Sequence, residues 1–251
     1  MEQITSRKNP LMTHIRKLST DRAYRRQCGE YLGDGVKLAA EAVRWGAELT
    51  AVVCTPEAEL PALPEQVRAV QVPGDVMESI SPMKTPQGAL FLCRIPHREA
   101  PQQLEGERYL VLDGVQDPGN VGTIWRTADA LGADGLILLE GCADPWNAKT
   151  VRATMGACFR LPVYEIKRQA LPALLERSGL PLYATALLED TVDLRDADLH
   201  RCAVVIGSEG RGVSQEVLAM SARTLKIPMR DRCESLNAAA AATVVLWEMA
   251  R

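Results

Sequence analysis

Residues 202–250 read CAVVIGSEGRGVSQEVLAMSARTLKIPMRDRCESLNAAAAATVVLWEMA. Two short runs within them, Ala203–Ile206 and Leu225–Ile227, have the length and branching of buried strands. Each breaks off into sequence that apolar packing does not require. The first ends in Gly207-Ser208-Glu209-Gly210-Arg211-Gly212, where three glycines release the backbone for tight or positive-φ turns and hold one acid and one base among them. The second passes through Pro228-Met229 and a polar loop to Ser235-Leu236-Asn237, which opens an alanine-rich helix with Ser or Asn available as N-cap. Loops at the carboxyl ends of neighbouring strands, one leading into a helix N-terminus, form the usual ligand crevice of an α/β sheet.

Working back along the chain, strands and helices alternate: Tyr109–Leu112, a helix over Val121–Leu131, Gly135–Leu139, a helix near Ala148–Ala157, Val163–Ile166, a helix over Leu171–Arg177, and Leu182–Thr185. Near-continuous apolar strands alternating with helices predict a mostly parallel sheet covered on both faces. Residues 96–107, PHREAPQQLEGE, carry prolines and polar residues without an apolar period and read as a linker. Before it, one or two basic helices within 10–27, a strand at Glu30–Leu32, a helix over Val36–Trp45, strands at Leu49–Cys54 and Ala69–Val72, a helix starting near Gly74-Asp75 and a strand at Gly88–Ile95 make a smaller α/β unit. The expected organisation is a domain over 1–95, the linker, and a second domain over 108–251.

No apolar run approaches the roughly 20 residues that cross a bilayer, and the N-terminus lacks the apolar core of a signal peptide, so a cytoplasmic protein without membrane contact is expected. The seven cysteines (Cys28, Cys54, Cys93, Cys142, Cys158, Cys202, Cys233) are scattered and never in CxxC spacing, and His14, His97 and His200 stand alone. That pattern predicts neither zinc nor a disulfide framework, and reads the cysteines as small buried hydrophobes. A net charge of −3 argues against nucleic-acid binding by bulk charge alone. The charge is uneven, however: residues 1–26 carry Arg7, Lys8, Arg16, Lys17, Arg22, Arg25 and Arg26 against only Glu2 and Asp21. Such a run fits a solvated helical face or a phosphate-contacting surface, the latter through Arg7, Lys8, Arg16, Arg25 and Arg26.

The stretch Asp113–Ala128, DGVQDPGNVGTIWRTA, feeds a glycine-rich turn into a helix, so free amides face the strand ends and Arg126 lies within the helix among apolar neighbours. A charge buried there needs a partner or a ligand. Two readings stay open: a ligand site, or a structural one in which Asn120 caps the helix and Arg126 pairs with an acid such as Glu209. The glycine order of neither this turn nor GSEGRG fits a dinucleotide fingerprint, and no GK[ST] follows for a phosphate loop.

Asn120, Gly122, Arg126, Thr127 and Ala128, then Gly207–Gly212, then Ile227-Pro228-Met229 with Ser235-Leu236-Asn237, resemble in order and spacing the three motifs of the SpoU (TrmH) family of RNA 2′-O-ribose methyltransferases. SRKNPLMTHIRKL followed by YLGDGVKLAAEAV is similar to the L30e-like substrate-binding domain of many members, with Asp34 where a glutamate often stands. The unbroken alanines after Asn237 depart from the family's usual valine or serine. The resemblance implies an α/β fold with an L30e-like N-terminal domain and a C-terminal mostly parallel sheet holding a deep trefoil knot, a homodimer, and no metal. It implies S-adenosylmethionine bound at Thr185, Gly207, Ile227, Ser235 and Leu236. The implied reaction moves a methyl group to a ribose 2′-hydroxyl of RNA, ribosomal rather than transfer RNA by analogy. The alternatives are a transfer-RNA methyltransferase, or an RNA-binding protein of the same fold without transfer. Within the implied site Asn120 positions the ribose, Glu209 orients Arg126 or Asn120, and Ser235 and Asn237 hold the loop. Arg126 is the family's proposed base, but a guanidinium with a pKa above about 12 suits phosphate binding or alkoxide stabilisation better.

Overall fold

The computed structural model describes residues 1–96, 101–188, 190–230 and 235–251; residues 97–100 of the expected linker, His97 among them, and Cys233 lie outside these. The chain divides into two compact units, Met1–His97 with Asp144–Arg160, and Arg98–Ala143 with Leu161–Arg251. Residues 144–160 thus fall with the N-terminal unit, although their sequence position lies inside the span 108–251.

The first unit contains β1 (Glu2–Gln3), α1 (Pro10–Thr20), α2 (Arg22–Cys28), β2 (Glu30–Asp34), α3 (Val36–Arg44), β3 (Leu49–Cys54), β4 (Arg68–Gln71), α4 (Gly74–Ile80) and β5 (Ala89–Arg94). The basic N-terminal stretch forms two helices because Asp21 ends the first and caps the second, accepting from the Tyr24 amide at 3.0 Å. Asn9 caps α1 in the same way, with Pro10 in the first turn, and Met12, Ile15 and Leu18 point inward at helical spacing. The sheet runs β1-β4-β3-β5-β2, with β5 antiparallel to both its neighbours and the remaining pairs parallel. All five residues of β2 are buried, and the Phe91 ring occupies the space a Cβ on Gly33 would need, 2.0 Å away.

Asp144–Arg160 completes this unit through a helix over Ala148–Ala153 and a 3₁₀ turn over Ala157–Phe159. Trp146 packs on Tyr31 with ring centroids 4.8 Å apart. Asp144 accepts from both Nε and Nη2 of Arg25, at 2.9 and 2.6 Å, while Arg25 Nη1 donates to the Leu18 carbonyl. Arg25 was read from sequence as a phosphate contact; it is 2% exposed, and its guanidinium is committed to holding residues 144–160 in place. Local sequence hides this, because its carboxylate partner is 119 residues away.

Naming the helix over Ala148–Ala153 α6, the second unit contains β6 (Arg108–Asp113), α5 (Pro118–Ala130), β7 (Gly135–Leu138), β8 (Val163–Glu165), α7 (Leu171–Ser178), β9 (Leu182–Thr185), β10 (Val192–Asp193), β11 (Cys202–Gly207), α8 (Gln215–Met220), β12 (Arg223–Lys226) and α9 (Ala238–Ala250). The strands form one parallel sheet in the order β10-β12-β9-β11-β6-β7-β8. Alternate residues serve its two faces: Tyr109 and Val111 of β6 join Ala203 and Val205 of β11 in a cluster with Leu171, Leu174 and Leu175 of α7. On the other face α9 packs against β6, β11 and α5. The short β10 and α8, of two and six residues, were not legible in sequence, being too short to show a period.

Five of the cysteines, Cys54, Cys93, Cys142, Cys158 and Cys202, are buried, and Cys28 is half-buried. Burial pushes the Cys93 and Cys202 thiols up to about 12 and Cys142 to about 11, so these three pack as apolar groups at neutral pH. No described helix is long and apolar enough to cross a membrane.

Replacing Asp144 by Ala strands the Arg25 cation in the core and is expected to destabilise the protein by about 3–5 kcal/mol. The double replacement Arg25→Met with Asp144→Leu is expected to regain most of that loss, as measured by urea unfolding.

Candidate functional site

The strand order reverses at β6 and β11, whose carboxyl ends, Asp113 and Gly207, lie side by side. This is where an α/β sheet opens a crevice. Asp113 does not face a ligand: it accepts from Arg168 at 2.9 Å and from the Ser214 amide at 2.7 Å, so it fastens the loops around the crevice. At Gly207 the backbone turns so tightly that a Cβ would stand 2.1 Å from the carbonyl carbon of Gly212. Beyond it, Ser208 and Gly212 exchange backbone hydrogen bonds at 3.0 Å in both directions, with Gly212 at φ +66°. Residues 209–211 form the tip of this miniature hairpin, which projects Glu209.

A cavity of about 510 Å³ opens beside the hairpin. Its walls include Thr185 at the end of β9, Gly207 at the end of β11, Ile227 just past β12, and Ser235 and Leu236 before α9. The five residues assigned from the resemblance to cofactor contact therefore all line this one cavity. The Thr185 hydroxyl is turned into the sheet, donating to the Val205 carbonyl at 2.8 Å, which leaves its backbone for the cavity. Ile206, Leu225 and Met229, which sequence reading placed in or just after the strands without assigning them to the cofactor, add apolar surface.

Glu209 belongs both to this cavity and to a chain of side-chain hydrogen bonds. Asn120 donates through Nδ2 to Glu209 Oε1, and its Oδ1 accepts from Asn237 Nδ2 at 3.2 Å. Asn237 in turn accepts the Ala239 amide at 2.9 Å and the Ala240 amide at 3.3 Å, and so caps α9. The carboxylate thus fixes one amide, the second amide fixes the first from its other side, and the helix N-terminus fixes the second. Asn120 is held in a single orientation by groups from two other segments. It does not cap α5: Asp117 does, accepting from the Asn120 amide at 3.0 Å with Pro118 in the first turn, so the helix starts three residues before the expected Val121.

Arg126 stands apart from this chain. The buried arc of α5 is Val121, Ile124, Trp125 and Ala128, and Arg126 lies outside it and is exposed, correcting its reading as a buried charge. Glu209 pairs with Asn120, not Arg126, and no described carboxylate pairs with Arg126. Ser235 and Asn237 are both exposed; Ser235 lines the cavity, whereas Asn237 does not. In the first unit Arg7 pairs with Asp75 at 2.8 Å, and Arg16 reaches the Arg7 carbonyl at 2.7 Å. Arg16 also lines a cleft of about 860 Å³ with Lys17, Lys149 and the hydroxyl residues Thr13, Ser79 and Ser81, and no carboxylate among the described residues lines it. Lys149 was not anticipated, being more than a hundred residues from the basic N-terminal run.

The pattern of the SpoU rRNA Methylase family matches residues 107–247, and that of the MRM3-like substrate binding domain matches residues 9–90. The 23S rRNA (guanosine(2553)-2′-O)-methyltransferase RlmP of Bacillus subtilis is 31% identical, over 99% of this chain and 99% of its own. The 23S rRNA (uridine(2479)-2′-O)-methyltransferase of Streptomyces viridochromogenes is also 31% identical, over 99% of this chain and 92% of its own. Among solved structures, an AdoMet-bound rRNA methyltransferase from Sinorhizobium meliloti superposes with a TM-score of 0.87 at 30% identity, covering 99% of this chain and 97% of that one.

Asn237→Ala is expected to cost about 1 kcal/mol of stability by uncapping α9, whereas Asn237→Asp keeps the cap while losing the bond to Asn120, and should unfold at a denaturant midpoint closer to wild type than Asn237→Ala does. Chemical denaturation of the two variants reads the difference.

Proposed function

The chain belongs to the SpoU rRNA methylase family, and on that premise we propose that it methylates a ribose 2′-hydroxyl of ribosomal RNA using S-adenosylmethionine. The observation that carries the reading is that Glu209 stands at once on the cavity wall and at the head of the hydrogen-bonded chain that fixes Asn120. A cofactor pocket and a positioned amide therefore meet at one residue.

The residues present suit that cofactor. The cavity volume lies within the usual range for nucleoside-sized ligands, its walls are backbone and apolar side chains, and Glu209 supplies a negative charge suited to a sulfonium. When bound, S-adenosylmethionine supplies an electrophilic methyl group. Asn120, with one N–H engaged by Glu209 and its carbonyl by Asn237, has a second N–H directed by that geometry, and we assign it to the ribose of the acceptor. Arg126 lies six residues along α5 from Asn120, about 9 Å of helix rise. A guanidinium contributes charge: holding a neighbouring phosphate or stabilising the oxygen as its proton leaves to water or phosphate.

The carboxylate-free cleft of Arg16, Lys17 and Lys149 in the first unit supports the reading of that unit as the RNA holder, since cations among hydroxyls suit phosphodiesters. The strand order supports the knot that the family implies, because the chain leaves β12, beyond β9, and returns as α9 onto β6 and β11. A homodimer through the second unit is supported by α9, where Trp247, 63% exposed, and Val244 share an apolar face that a second copy would cover.

Calorimetry is expected to show S-adenosylmethionine binding in the micromolar range, lost in Gly210→Trp. Gly210 lines the cavity and a Cβ added there meets nothing within 4 Å, so the indole is introduced without a backbone clash. Gly207 does not offer such a probe, because even a methyl group there collides with backbone. With ribosomal RNA as acceptor, Arg126→Lys is expected to retain part of the methyl transfer and Arg126→Ala to lose it; equal, complete loss rules out a role as simple charge. Methylation of transfer RNA alone would reassign the substrate. Trp247→Glu is expected to convert dimers to monomers in light scattering.

A further inference from the structure

Asp113 and Arg168 do not line the cavity, yet both legs of the Ser208–Gly212 hairpin are fastened to Asp113. The incoming leg is tied by backbone register, because Gly207 stands opposite Asp113 in the ladder between β11 and β6. The outgoing leg is tied by the side chain: Oδ2 accepts the Ser214 amide at 2.7 Å, two residues past Gly212. Asp113 is 3% exposed. Its other oxygen, Oδ1, accepts from Nη2 of Arg168 at 2.9 Å and from Nε at 3.3 Å. Arg168 opens a 3₁₀ turn just past β8, and Glu140, just past β7, holds that turn from two sides. The Glu140 carboxylate accepts the Arg168 amide at 2.8 Å, and its carbonyl accepts from Arg168 Nη2 at 3.1 Å. A further acid, Glu216, stands 3.8 Å from Arg168 Nη1 but is exposed, so it adds little.

A carboxylate is what this position requires. Its two oxygens serve donors from two different loops at once, whereas an amide side chain has one oxygen and would turn its N–H groups toward one of those donors. The charge is buried, and Arg168 neutralises it. Loss of the guanidinium therefore acts first on Asp113, next on the Ser214 amide, and so on the hairpin with Glu209 at its tip. We infer that Arg168 and Asp113 are positioning residues for the methyl transfer, setting the hairpin at which the cofactor cavity and the fixed Asn120 amide meet. Gly207, Ser208, Glu209, Gly210 and Gly212 all line the cavity, so a shift of the hairpin alters the cavity and the bond from Asn120 to Glu209 together. An ion pair that served the sheet alone would leave both in place. Sequence reading gave neither residue a role, because Arg168 lies 55 residues from Asp113 and Ser214 lies 101 residues from it.

The assignment rests on the reading of this cavity as the S-adenosylmethionine site. With the full-length protein, cofactor affinity is measured by calorimetry, methyl transfer to ribosomal RNA by its single-turnover rate at saturating cofactor, and stability by the urea midpoint. Arg168→Gln is expected to weaken cofactor binding about tenfold and to slow transfer by about tenfold or more. It strands the Asp113 carboxylate, so its urea midpoint falls as well. Arg168→Lys keeps the charge and is expected to recover part of both affinity and rate. The double variant Arg168→Gln with Asp113→Asn removes both charges and should regain most of the stability. It should not regain affinity or rate, because one amide oxygen cannot serve both residue 168 and the Ser214 amide. This variant also decides the matter where Arg168→Gln alone does not fold. Wild-type affinity and rate in Arg168→Gln, or affinity that returns together with stability in the double variant, would overturn the assignment and leave the pair a prop of the sheet. Absence of cofactor binding to the folded wild-type protein would instead overturn the reading of the cavity, and the assignment with it.

Discussion

The close approach of backbone to backbone at Gly207 is the constraint on which the site depends. Because nothing larger than hydrogen fits there, the chain leaving β11 folds straight back on itself through the Ser208–Gly212 hairpin, and Glu209 is carried to its tip. From that tip the carboxylate reaches Asn120 at the start of α5, and through it Asn237 at the start of α9. Two helix N-termini and a hairpin are thereby tied by side-chain amides, above a parallel sheet whose strand order opens the crevice beneath them. Charge is used sparingly here: one carboxylate orders two neutral amides, and the neutral groups do the positioning.

Much of this was legible in the chain. Glycine spacing after an apolar run, and Ser-Leu-Asn ahead of an alanine run, mark the two strand ends because backbone freedom and capping are local properties. Alternation of apolar runs with helical periods likewise gives the parallel sheet. The sheet of the smaller unit was less plain, since whether β5 runs antiparallel to its neighbours depends on loop paths that periodicity does not record.

The misread residues share a cause. Arg126 has apolar neighbours in sequence, yet at 100° per residue the arc through Val121, Ile124, Trp125 and Ala128 turns it outward. Arg25 has basic and polar neighbours and yet is buried, because Asp144 arrives from far along the chain to neutralise it. Lys149 joins a basic cleft for the same reason. The start of α5, by contrast, was marked locally, by Asp117-Pro118, and that signal was outweighed by the glycines that follow. Sequence reports charge with fidelity, but which charges are buried depends on contacts of long sequence separation.

The passage of residues 144–160 into the first unit has a consequence for synthesis. A nascent chain that has emerged as far as residue 97 contains every strand of that unit's sheet but not Asp144 or Trp146, the partners of Arg25 and Tyr31. At translation rates of about 5–20 residues per second, the N-terminal sheet waits for seconds with an unneutralised arginine and an uncovered aromatic ring. During that interval β6, α5 and β7 are made. The two units are therefore interleaved in time as well as in sequence: neither finishes folding before the other has begun.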